Sequence, residues 1–214
     1  MISSNMYKCN RCFITGLFAL CSILVTAFAQ NSVTNQLPQM VRLRGTIVQA
    51  DLHSMLFRER GGELISISLD QQLIIQEVYP IEIEKIEQNS FIGTAALADK
   101  NGHLVALEVH VFPESMRGTG EGHRAWDSVR GSTMTNASVD ELIRVGKSRE
   151  LHLKYKGGEK NVLVPDNVPI VTYRPGDAGL LVPGANAVVM ATDRDGKPTA
   201  LRIMVGRDGF KPPM

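Results

Sequence analysis

Asp99-Lys-Asn-Gly-His-Leu-Val-Ala-Leu-Glu-Val-His-Val111 and, 94 positions on, Asp193-Arg-Asp-Gly-Lys-Pro-Thr-Ala-Leu-Arg-Ile-Met-Val205 are two copies of one pattern. Leu107, Val109 and Val111 alternate with Ala106, Glu108 and His110, and Leu201, Ile203 and Val205 do the same in the second copy. Alternation at period two marks a half-buried strand. Asn101-Gly102 and Asp195-Gly196 precede these runs, and such dipeptides supply the positive φ of a tight hairpin.

The copying extends outward. Arg60-Gly-Gly-Glu63 returns as Lys156-Gly-Gly-Glu159, and Asp70-Gln-Gln-Leu-Ile-Ile75 as Asp166-Asn-Val-Pro-Ile-Val171, both 96 positions apart. The slip of two falls between the blocks, near Pro80 to Ser90. The chain therefore reads as one module written twice. Each copy predicts about five short strands, with an irregular or single-turn helical link near Ile81–Gln88 and Gly179–Pro183. Five strands around a small core leave exposed edges unless the sheet closes, so the expected architecture is all-β: two tandem, small, OB-like β-barrel modules. The predicted layout is a signal peptide over 1–29, a segment over 30–40, a first module over 41–112, a Gly-rich crossover over 113–135, a second module over 136–206 and a tail over 207–214. The tail, ending in Lys-Pro-Pro-Met, cannot extend a ladder past Pro212 and is expected to be loosely held or laid over the second module.

Lys8 and Arg11 precede an uncharged apolar run, Phe13 to Phe28, and Ala27-Phe28-Ala29 forms a small-x-small exit. That order is a secretory signal peptide, with a predicted mature start at Gln30 and a periplasmic or secreted destination. Cys9, Cys12 and Cys21 all fall within the removed segment, so the mature chain is expected to have no disulfide, thiolate ligand or cysteine nucleophile. A cysteine-free exported protein suits a bacterial periplasm. Without Lys8 and Arg11 the chain is acidic by a single charge, and no nucleic-acid partner is expected. No remaining stretch has the ~20 apolar residues of a spanning helix.

The crossover carries the most distinctive residues, Phe112-Pro-Glu-Ser-Met-Arg-Gly-Thr-Gly-Glu-Gly-His-Arg-Ala-Trp-Asp127, including the only tryptophan. Gly118, Gly120 and Gly122 could expose backbone N–H groups to a phosphate, but no amphipathic helix follows them. Glu121, His123 and Asp127 could ligate a metal ion; one histidine with two carboxylates is a poor zinc set, and His53, His103, His110 and His152 are scattered. His110 is Met204 in the other copy, so the module does not require it. Ser115 and Ser132 lie in no nucleophile elbow, and the carboxylates Glu114, Glu121 and Asp127 have no fixed separation. The preferred reading is a structural clasp that doubles as a binding surface: Trp126 fills a groove between modules, Arg117, Arg124, Glu121 and Asp127 pair around it, and Met116 fills apolar space. The function expected from the residues is non-catalytic binding of an unknown periplasmic ligand or protein, without a cofactor. A metal-dependent factor centred on Glu121, His123 and Asp127 is the alternative.

Residues 112–127, with Gly131-Ser-Thr-Met-Thr-Asn136, closely resemble the hallmark of an uncharacterised family of secreted bacterial proteins that carry a domain of unknown function, many under the label "metal ABC transporter permease". Tyr155-Lys-Gly-Gly-Glu-Lys160 and Thr172-Tyr-Arg-Pro-Gly-Asp177 are similar to that family too. One departure is Ala125, where the family usually has proline. The resemblance implies a periplasmic β-rich protein with no established activity, and the permease label conflicts with the lack of a spanning segment.

Overall fold

Strands form where the alternation places them. In β8 (Ser148–Tyr155) Leu151 and Leu153 point inward, and in β12 (Lys197–Gly206) Ala200, Ile203 and Val205 do. The computed structural model describes residues 40–213; the expected signal peptide, the expected Gln30 start and nearly all of the 30–40 segment lie outside them. The remaining strands are β1 (Met40–Ala50), β2 (Ser54–Glu59), β3 (Leu64–Pro80), β4 (Phe91–Ala98), β5 (Leu104–Val111), β6 (Gly122–Ala125), β7 (Thr133–Val145), β9 (Gly158–Val164), β10 (Ile170–Pro175) and β11 (Asn186–Arg194). Short 3-10 turns occupy Ile83–Lys85, Glu114–Met116 and Ala178–Leu180, the first and last in the two expected links. No helix among the described residues is long and apolar enough to cross a membrane.

The all-β class and closure into barrels are as the sequence predicts. Strand pairing closes two five-stranded rings. The first runs β1-β2-β3-β12-β11 and back to β1, with β3 and β12 parallel. The second runs β7-β8-β9-β5-β4 and back to β7, with β9 and β5 parallel. Each ring has its own core: Phe57, Ile67, Val189 and Ile203 in the first, Ile92, Val109, Leu151 and Val162 in the second. The turns plug the rings, Ile86 and its neighbours closing the second and Leu180 and Leu181 the first.

The assignment of strands to rings departs from the expected series of modules. Residues 41–112 and 136–206 do not each close a barrel; every ring takes three strands from one half and two from the other. The physical reason lies in β3. Its 17 residues reach about 55 Å at strand rise, carrying the chain out of the first ring so that β4 and β5 are delivered to the second. Because the halves are copies, β11 and β12 fit the vacated place, an exchange of equivalent elements within one chain. The far end of β3 pairs with β10, and β10 pairs in parallel with β5, so the sheet is continuous across both rings.

Two further corrections follow. The crossover joins β5 to β7, two strands of the same ring, and contains a short edge strand, β6, paired to β7. The tail is laid over the first ring, not over strands of 136–206 alone: Phe210 packs at the seam with Val78, Tyr173 and Met204, and the Asn186 side chain donates to the Gly209 carbonyl.

Candidate functional site

β5 explains why a site exists at the seam. One face of this strand supplies Val109 to the second core; Glu108 and His110 point the other way, where water would be expected, but the neighbouring ring covers them and both are buried. Burial of such groups demands partners. The hydroxyl of Tyr173, on β10, lies 2.7 Å from His110 Nδ1. Burial pushes the Tyr173 phenol well above its ordinary value, with Glu108 adding to the rise, so the phenol keeps its proton. The Glu108 carboxylate lies 3.5 Å from His110 Nε2, too far for a hydrogen bond but favouring a hydrogen there. We assign the ring hydrogen to Nε2 and let Nδ1 accept from Tyr173.

Above His110 a cavity of about 70 Å³ is lined by Gly93, His110, Phe112, Arg124, Trp126, Met134, Asn136 and Tyr173. Three lining residues each hold a buried polar atom without a hydrogen-bond partner: His110 Nε2, Trp126 Nε1 and Asn136 Oδ1. Asn136 is oriented by its amide nitrogen, which donates to the Thr119 carbonyl at 2.8 Å. Gly120 bends the crossover to meet it: φ is +56°, and a Cβ there would lie 3.2 Å from the Asn136 amide and 3.3 Å from Arg124.

The crossover reaches the first ring at Met116, whose sulfur accepts from the Gln76 amide of β3 at 3.1 Å, and at Asp127. Asp127 accepts from Arg42 Nη1 at 3.0 Å and, through both oxygens, from Arg44 at 2.7 and 3.2 Å, both arginines being on β1. The Arg44 hydrogen bonds, with the charges of Arg44 and Arg42, hold the Asp127 carboxyl below its ordinary value. Trp126 is half-buried, with the Arg42 guanidinium 4.0 Å and the Arg124 guanidinium 5.3 Å from its ring centre, both within cation–π range. Arg124 donates to the Gly120 carbonyl at 2.7 Å and has no carboxylate partner among the described residues.

The other residues singled out in the sequence lie apart. Arg117 pairs with Glu114 at 2.6 Å and donates to the Asn89 carbonyl. Glu121 accepts from the Lys156 backbone N–H at 2.8 Å. His123 bonds Thr135 at 2.8 Å and lines a groove of about 760 Å³ with His103 and Lys160; burial, then Lys160, lowers its pKa. Glu121, His123 and Asp127 thus serve three different partners, and no group of three or more His, Cys, Asp or Glu among the described residues is placed to hold a metal ion. The Ser132 hydroxyl is spent on the Trp126–Val129 turn. Gly122 opens β6 in place of the helix that a phosphate cradle requires.

Sequence reasoning found Trp126, Arg124 and Asp127 but not Arg42, Arg44, His110, Asn136 or Tyr173. Comparison of the chain with protein-family models, curated proteins and solved structures finds no match.

Proposed function

We propose that this is an exported, non-catalytic binding protein of the bacterial periplasm, built from two strand-exchanged OB-like rings, that takes part of its ligand into the seam cavity beneath Trp126 and Arg124. The observation that carries this reading is a small seam cavity whose wall includes three residues, His110, Trp126 and Asn136, that each hold a buried polar atom without a hydrogen-bond partner. A folded chain rarely leaves such atoms unpaired unless a ligand or water completes them. The signal-peptide pattern and the family resemblance support export. Five-stranded Greek-key rings of this type commonly present binding surfaces, a fold-level analogy.

Among the described residues His110 is engaged by a phenol, not by a serine or cysteine that it could activate, which favours binding over turnover. The crossover then acts as a clasp and a roof together, with Asp127 anchoring it to β1 and Trp126 closing the cavity. Trp126 is the only tryptophan, so its emission reports this site alone. Titrating the mature protein with small neutral, anionic and cationic polar molecules should give a saturable change in that emission with at least one class. His110→Met, which installs the residue of the other copy, should abolish it. A flat response across all classes, with no ligand raising the melting temperature, contradicts the proposal.

A further inference from the structure

We propose that the outward face of the first ring carries a second binding site, separate from the seam cavity, for the phosphoryl group of a phosphomonoester. It goes beyond the reading above and stands without it.

Alternation assembles the site. On β1, Arg42, Arg44 and Thr46 face outward while Ile47 joins the core; on β2, Phe57 points inward and Arg58 outward, with Arg60 just beyond the strand. Thr46 lies opposite Arg58, and the Arg60 N–H donates to the Arg44 carbonyl at 2.7 Å, which sets Arg60 beside Arg44 across the pair. The tail adds Lys211. Its backbone lies directly against the end of β12, where a Cβ on Gly206 would come 1.9 Å from the Phe210 carbonyl oxygen. Arg44, Arg58, Glu59, Arg60, Asn186 and Lys211 line a pocket of about 250 Å³.

The charges there do not balance. Arg44 is held by Asp127, which Arg42 shares. The Glu59 carboxylate accepts from the Gly61 N–H of its own turn. Arg58, Arg60 and Lys211 are exposed and have no carboxylate partner among the described residues. Like charges set across a strand pair cost stability, and a bound anion removes that cost. The duplicate ring supplies the comparison: Ser138 lies opposite Lys154 as Thr46 lies opposite Arg58, but Lys154 is paired with Asp140 at 2.8 Å. The unbalanced charge therefore belongs to one ring and is not a requirement of the fold.

Charge and size select the ligand. Arg58, Arg60 and Lys211 against Glu59 leave two positive charges in the wall, which a phosphomonoester dianion matches. A carboxylate, a sulfate ester or a phosphodiester carries one charge and leaves a cation over. Guanidinium forks also fit phosphate oxygens two at a time. Since about 150 Å³ holds benzene, about 250 Å³ takes roughly ten heavy atoms, a phosphoryl group with a short carbon body.

Such groups come from soluble esters or from lipid headgroups, and the test separates them. Residues 30–214 are titrated calorimetrically, at fixed ionic strength, with glycerol 3-phosphate and phenyl phosphate; phenyl sulfate and benzoate are the controls. Flotation with phosphatidylcholine vesicles containing phosphatidic acid tests the lipid source, with phosphatidylglycerol as the diester control. One or both phosphomonoester arms should bind about tenfold or more tighter than their singly charged controls, the stronger arm naming the source. That binding should tighten as pH rises through the second phosphate ionisation at about 6. The Arg58→Gln/Arg60→Gln double variant should lose about tenfold or more in affinity while melting no lower than the unsubstituted chain, since repulsion is relieved. His110→Met should leave phosphoryl binding unchanged. Controls binding as tightly as the phosphomonoesters, a phosphoryl signal that survives the double substitution, or no signal overturns the proposal. A signal lost in His110→Met but kept in the double variant also overturns it, and places the anion in the seam instead.

Discussion

Asp127 holds two arginines of β1 whose side chains are only 20% and 11% exposed. Removing the carboxylate leaves two cations against each other in a partly dry place. Asp127→Ala should therefore lower stability by about 1–2 kcal/mol, between the values for exposed and buried pairs, with Asp127→Asn losing less; denaturant midpoints at constant m-value check this. Trp126→Ala should remove ~2 kcal/mol, the value of a half-buried aromatic, visible as a drop in melting temperature of about 5 °C. Glu77 sets a third expectation. It is 3% exposed and bound by Arg174 at 2.5 Å and Arg207 at 2.9 Å. Those hydrogen bonds, Arg174 first, depress its pKa from 4.5 to about 2. A carboxyl depressed on folding stabilises above its unfolded pKa and loses that contribution as pH falls through the folded one. Stability should decline between pH 4.5 and 2, and Glu77→Gln should flatten this part of a melting-temperature profile. Trp126 was conspicuous in the sequence by its rarity. His110 was not, since alternation along β5 assigns it to the face away from its own core and carries no news of a second ring lying over that face.

At the scale of elements, the hairpins were legible because turn residues and alternation agree. Asp195 and Gly196 both adopt positive φ, 53° and 76°, as a two-residue turn demands. At Asn101-Gly102 only the glycine does, at 85°, because the Asp99 side chain accepts from the backbone N–H groups of Asn101 and His103 and widens the loop. The edge strand β6 was missed: Gly-His-Arg-Ala has no apolar alternation, and it extends only because β7 offers a free edge. The links, expected to be irregular or single-turn helical, are single turns that close the rings. Ile86→Ala and Leu180→Ala should each lower stability by about 2–4 kcal/mol by opening a cavity at the base of a ring, as calorimetry would show. If these links were only surface connections, neither substitution would shift the transition.

For the whole molecule, the repeat identifies which strand types neighbour each other but not which copy supplies them. Ser68 can face the strand Leu104–Val111 or its duplicate Lys197–Gly206 with the same local chemistry; the structure chooses the duplicate. That choice creates the seam, buries Glu108 and His110, and forms the cavity, so the candidate site was illegible for the same reason as the exchange. The direct test uses residues 30–214, which contain no cysteine. Thr46 on β1 lies opposite Asn186 on β11, whereas a barrel closed within the first half would set it opposite Phe91, the counterpart of Asn186, just as Ser138, the counterpart of Thr46, lies opposite Phe91 in the second ring. Oxidation of the Thr46→Cys/Asn186→Cys pair should give an intrachain disulfide in the monomer, and the Thr46→Cys/Phe91→Cys pair should give none. A bridge between positions 46 and 91, or one between 46 and 186 formed only between chains, would contradict the exchanged rings and the site built between them.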